Sequence, residues 1–147
     1  MPDDDLLRRL DRLEARQQIH ALLLAYRRTL DEKDFDGYAE LFGDDGQFVT
    51  DDFVATGRAE IRSMLDDMVP EYLAPVGGDD LHLLCNVEIQ VGDDDTATAS
   101  STWVYLVRGD GDAPELSKLG HYHDELRRVD GRWRFARRRA PMMIPSA

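Results

Sequence analysis

The chain reads as an α+β fold, with helices gathered in the first half and a meander of antiparallel strands in the second. Three observations predict this. Apolar residues recur at three- and four-residue spacings up to about residue 70. Alternating, Thr- and Val-rich runs take over from residue 81, and short Gly/Asp turns separate those runs.

Asp3 to Asp5 are placed to cap and charge-complement a first helix, in which Leu6, Leu10, Leu13, Ile19, Leu22, Leu23, Tyr26 and Leu30 form an amphipathic pattern. Asp34 is a cap for a short second helix holding Phe35, Tyr38, Leu41 and Phe42, which Gly43-Asp44-Asp45-Gly46 breaks. A short strand is expected over Gln47 to Thr50. A third helix starts near Thr56 or Gly57, aligns Ile61, Leu65, Met68 and Val69, and stops at Pro70. Leu81 to Val91 and Thr96 to Val107 are strands joined by Gly92-Asp93-Asp94-Asp95. Arg108 to Ser117 is a long loop, and Lys118 to Arg128 and Arg132 to Ala140 pair through the turn Asp130-Gly131. With 147 residues and no linker or repeat, the expectation is one domain over 1–147.

The formal charge is −12, from 30 acidic and 18 basic residues, which disfavours phosphate backbones and anionic headgroups as partners. Seven arginines between Arg127 and Arg139 run against that sign. They read as a solvated strand face paired to nearby acids, or else as a nucleic-acid patch. Cys85 is the single cysteine and reads as a small buried hydrophobe, so neither an intramolecular disulfide nor a thiolate cage is expected. The opening Met1-Pro2-Asp3-Asp4-Asp5 is acidic where a secretion signal is basic, and no apolar run is long enough to span a bilayer. A cytoplasmic protein without membrane attachment is the expectation.

Three stretches resemble the SnoaL-like branch of the NTF2-like superfamily: Leu30 to Asp36 with Leu41 to Asp45, His82 to Val87, and Gly120 to Leu126 with Asp130 to Phe135. The resemblance implies an NTF2-like cone, a curved antiparallel sheet with three helices from the first half enclosing a pocket. It extends to the dehydratase group: scytalone dehydratase, bile-acid 7α-dehydratase and hexachlorocyclohexane dehydrochlorinase. Their shared Asp at the helix end and His opening the first long strand correspond to Asp31 and His82. A Tyr of the bile-acid enzyme corresponds to Tyr26, and an Arg of the dehydrochlorinase to Arg138. The tyrosines and second histidine of scytalone dehydratase fall at Leu30, Thr50 and Ser101, so scytalone is not the expected substrate.

By this resemblance the protein is a cofactor-independent lyase or isomerase, dehydratase-like, taking a proton α to the carbonyl of a small apolar cyclic substrate. Asp31 and His82 form the acid–base pair, and Tyr26 and Arg138 stabilise the oxyanion. Tyr38, Phe42, Phe48, Trp103 and Tyr122 are expected substrate-binding walls, and neither metal nor cofactor is called for. The alternatives are a non-catalytic ligand-binding or assembly subunit, like the β-subunit of ring-hydroxylating dioxygenases, and a polyketide cyclase.

Plainer readings of the same residues stand beside these. Asp31 also suits a helix end, His82 a satisfied structural histidine, and Tyr26 a core position. Strand parity sets Val87, Ile89 and Val91 on one face and His82 on the other unless a bulge falls near Cys85 and Asn86. Trp133 and Phe135 likewise point Arg137 or Arg139 inward in place of Arg138. His121 and His123 with His82 would make a three-His metal site, on a weak pattern. Met142 and Met143 read as a lid or a packed tail. A homodimer or homotrimer built on the outer sheet face, including the strand Thr96 to Val107, is expected.

Overall fold

The computed structural model describes residues 3–73 and 78–145; Met1 and Pro2 of the acidic opening lie outside them. Helix α1 (Asp4–Asp31) is followed by α2 (Phe35–Glu40), β1 (Phe42–Val49), β2 (Val54–Thr56), α3 (Gly57–Tyr72), β3 (Asp80–Val91) and β4 (Thr96–Arg108). After a 3₁₀ turn at Asp110–Asp112 come β5 (Pro114–Val129), β6 (Arg132–Arg139) and β7 (Met142–Ile144). The seven strands form one curved, unclosed sheet in the order β2-β1-β6-β5-β4-β3, with β7 on β5. Helix α1 packs on β3 and β6, and α3 packs on β1.

The end of α1 is set by local chemistry. Asp34 N–H reaches back to Thr29 O at 2.9 Å, and Lys33 takes a left-handed φ of 58°. This is the wrapped-back helix stop that usually carries glycine. Here the side chain is needed, because Lys33 Nζ meets both oxygens of Asp80 at 2.9 and 3.0 Å, with both partners buried. The pair ties the end of α1 to the start of β3. Asp34 then caps α2, accepting from Gly37 N–H at 3.0 Å.

Several expectations are corrected. Gly43 to Gly46 does not end a helix but lies within β1, where five steps along β1 oppose two along β6. A side chain at Gly46 would sit 2.9 Å from Phe135 O, which explains the small residue at that close approach. The sheet is not wholly antiparallel, since β1 runs parallel to β6, a long-range pairing that no local pattern announces. Helix α3 continues two residues past Pro70, and the loop after β4 shortens because β5 begins at Pro114. Met142 and Met143 belong to β7.

The leucine pattern of α1 divides in two. Ala15, Ile19, Leu22, Leu23, Tyr26 and Leu30 are buried against the sheet, whereas Leu6, Leu10 and Leu13 are exposed.

Candidate active site

Two β-bulges decide which side chains enter the space between α1 and the sheet. On β3 the pairing with β4 slips between Cys85 and Glu88, at Asn86 with φ 52°. The slip resolves the parity conflict, for His82 comes to the same face as Ile89. On β6 the pairing with β5 slips between Phe135 and Arg137, so that Arg138 joins Trp133 and Phe135 inside and Arg137 and Arg139 stay outside.

His82 Nδ1 lies 2.6 Å from Asp31 Oδ1. The same carboxylate accepts from His82 N–H at 3.1 and 3.2 Å and from Arg27 Nη1 at 3.2 Å. A carboxylate beside Nδ1 fixes the proton there and leaves the Nε2 lone pair free. The imidazole packs on the ring of Tyr105, with centroids 4.5 Å apart, and the Tyr105 hydroxyl donates to Asp80 at 2.7 Å. Lys33 and Asp80 therefore hold both the helix end that bears Asp31 and the ring against which His82 rests.

A second cluster lies deeper. Arg138, fully buried, binds Asp124 through two bonds of 2.7 and 2.9 Å. Its guanidinium carbon is 3.7 Å from the centre of the Tyr122 ring and 4.1 Å from that of Tyr26. Burial opposes its charge, but the Asp124 carboxylate, by attraction and hydrogen bonding, holds its pKa above the usual arginine value. The Tyr38 hydroxyl donates to that of Tyr26 at 2.7 Å. Burial pushes the pKa of Tyr26, Tyr38 and Tyr122 upward, so all three stay neutral donors. Arg138 Nη1 and Ser101 Oγ are buried and have no hydrogen-bond partner among the described residues.

Trp103 joins the clusters, its ring 6.4 Å from His82 and 6.2 Å from Tyr122. Asp31 and His82 are thus in direct contact, while Tyr26 and Arg138 stand together beyond Trp103. Tyr38 and Phe42 are fully buried and pack with Tyr26 and Phe135; Phe48 is buried beside Phe53. Two outer concavities lie elsewhere. One of about 350 Å³ is lined by Glu88, His123, Arg137 and Arg139 among others, and one of about 370 Å³ lies at the Asp79–Pro114 edge.

His121 and His123 flank Tyr122 and face away from the side that holds His82, so the three-His site does not form. Among the described residues no cluster of His, Cys, Asp or Glu has metal-binding geometry, and no helix is long and apolar enough to cross a membrane. The arginine-rich stretch, which spans the end of β5 and the whole of β6, is partly paired with acids: Arg128 meets Asp11 and Asp95, and Arg138 meets Asp124.

Sequence reasoning missed Asp124, Lys33, Asp80 and Tyr105. A signal existed for Asp124, a charge at the inward parity of Tyr122 and Leu126, and for Asp80, two residues before His82.

Three helices packed on one curved, unclosed seven-stranded sheet make an α+β fold of the NTF2-like class. Residues 11–139 match the SnoaL-like domain, and the chain belongs to that family. An NTF2-like protein with a cystatin-like fold from Novosphingobium aromaticivorans is 27% identical, with a TM-score of 0.84 over 100% of this chain and 94% of its own. ActVI-ORFA from Streptomyces coelicolor is 27% identical, with a TM-score of 0.76 over 87% of this chain and 97% of its own. A candidate scytalone dehydratase from N. aromaticivorans, 23% identical with a TM-score of 0.73 over 90% and 87% of the two chains, shares the fold. No functionally curated protein matches the sequence.

Proposed function

We propose that this protein is a cofactor-independent lyase or isomerase that removes a proton α to the carbonyl of a small, largely apolar cyclic compound. The contact of 2.6 Å between His82 Nδ1 and Asp31 Oδ1 carries the reading. It makes Nε2 a base, and the carboxylate stabilises the imidazolium that forms on proton transfer. The α C–H bond breaks, its proton moves to Nε2, and its electron pair passes through the new C=C bond to the carbonyl oxygen. The enolate then either expels a β-hydroxyl, which takes the proton from Nε2 and leaves as water, or is reprotonated at another carbon.

The oxyanion needs a donor. Arg138 Nη1, buried and unpartnered among the described residues, is the kind of group that a substrate oxygen satisfies, and the neutral Tyr26 hydroxyl is a second donor. The buried rings of Trp103, between the two clusters, and Tyr122 are the apolar walls that this reading assigns to a cyclic substrate.

The test is deuterium exchange in D₂O, followed by proton NMR, on a panel of 1-tetralone, 3-hydroxy-1-tetralone and 2-cyclohexenone. The wild-type protein should accelerate α-exchange or loss of water for at least one probe, and His82→Ala should return it to the buffer rate. Exchange that His82→Ala leaves unchanged, or no acceleration of any probe, would contradict the reading.

A further inference from the structure

One cation faces the inner side of the sheet without an acid beside it. Lys118 on β5 shares the inward parity of Gly120, Tyr122 and Asp124. It stands opposite Tyr105 of β4, which in turn stands opposite His82 of β3. The three residues make one row across three strands. The His82 ring lies 4.5 Å from the centre of the Tyr105 ring, and the Lys118 ammonium lies 5.8 Å from the same centre. Lys118 is half-buried; its Nζ is 5.0 Å from the centre of the Tyr72 ring and donates to Tyr72 O at 3.4 Å. Among the described residues no carboxylate comes within ion-pair reach of it, in contrast to Lys33, Arg128 and Arg138. Burial moves its pKa down, with no acid to hold it up. Two of its three ammonium donors are therefore unclaimed among the described residues, in a chain with 30 acidic side chains to draw on.

We propose that Lys118 is a specificity residue of the site and binds a carboxylate that the substrate carries away from its reacting carbonyl. This rests on the proton abstraction assigned to His82 and adds the substrate class, a fused two-ring ketone with an ionised acid group. Strands β3 and β5 are two strand spacings apart, about 10 Å. An acid-bearing two-ring ketone, with a contact reach of about 3 Å at each end, spans that gap. Its α-carbon then faces His82 Nε2 and its carboxylate faces Lys118 Nζ. In a chain of net charge −12 an anionic ligand needs a local cation to hold it. An ammonium already stripped of part of its water gains more from a charged acceptor than a fully hydrated surface lysine does. A purely structural lysine, strapping the end of α3 to β5 through Tyr72, would show no preference for a charged ligand.

Isothermal titration calorimetry with 6-carboxy-1-tetralone and its 6-carboxamide, two ligands of nearly equal shape, reads the charge alone. The carboxylate should bind about tenfold more tightly than the amide. Lys118→Met should abolish that difference with unchanged far-ultraviolet circular dichroism, and Lys118→Arg should keep it. The same titrations on His82→Ala, which lacks the base, separate binding from the reaction. A carboxylate preference that depends on Lys118 in that background supports the anion site even if no probe exchanges its α-hydrogen. Exchange without the preference leaves the reaction standing and removes the site. Equal affinity for the two ligands, binding of neither, or a preference that Lys118→Met retains would overturn the proposal.

Discussion

Removing the carboxylate of Asp124 tests how the inner cluster is held. The Arg138 and Asp124 side chains are both fully buried, and guanidinium Nε and Nη2 donate to one carboxylate oxygen each. In Asp124→Ala the guanidinium keeps the two aromatic faces of Tyr26 and Tyr122 but loses its only carboxylate among the described residues. Leaving one partner of such a pair uncompensated costs about 3–5 kcal/mol. For a chain of this length, about 2–4 °C per kcal/mol, the melting temperature should fall by roughly 6–20 °C. Differential scanning calorimetry and urea unfolding give the two numbers independently. Replacing both members, Asp124→Leu with Arg138→Met, should recover most of the loss, because the desolvation penalty leaves with the charges. A fall below about 1 kcal/mol for Asp124→Ala, or a double variant as unstable as the two single losses summed, would refute the reasoning.

Alkaline titration followed at 295 nm should show that Tyr26, Tyr38 and Tyr122, three of the five tyrosines, do not ionise while the fold persists. Their raised values make the folded form bind more protons, so stability is intact below the ordinary tyrosine value of about 10 and falls as pH rises beyond it. Three ordinary titrations before unfolding would contradict this. Gly120→Ala should destabilise by about 1–3 kcal/mol in urea unfolding, because its Cβ would lie 2.4 Å from Pro141 O and 2.6 Å from the Trp103 ring. Asp80→Asn should lower kcat more than it raises KM in the exchange assay, since it loosens Tyr105 beneath His82 and frees Lys33. Equal kcat in the variant and the wild type would remove Asp80 from the positioning of the pair.

Much of this could be read from the residues alone. The order of the helices and the four long strands follows from periodicity and turn chemistry, which act within a few residues. The inward placement of His82 does not, because it depends on the bulge at Asn86; parity identified that bulge as a requirement without showing that it exists. Arg138 shows the reverse: its burial contradicts the alternation set by Trp133 and Phe135 until the slip near Ala136 is seen. The two leucine faces of α1 merge in a simple spacing count, and only burial separates them. The parallel β1–β6 pair and the Lys33–Asp80 tie join residues far apart in sequence and leave no local trace.

The central claim is that Asp31 and His82 act as one acid–base unit, and a double-mutant cycle on the exchange rate tests it most directly. Once a reactive probe is found, Asp31→Asn should reduce the rate by about two to four orders of magnitude, through the wrong tautomer and an unstabilised imidazolium. His82→Ala should reduce it to background, and adding Asp31→Asn to His82→Ala should cost almost nothing more. Losses that multiply, or a single variant that keeps near wild-type exchange, would show that the two residues do not work as a pair.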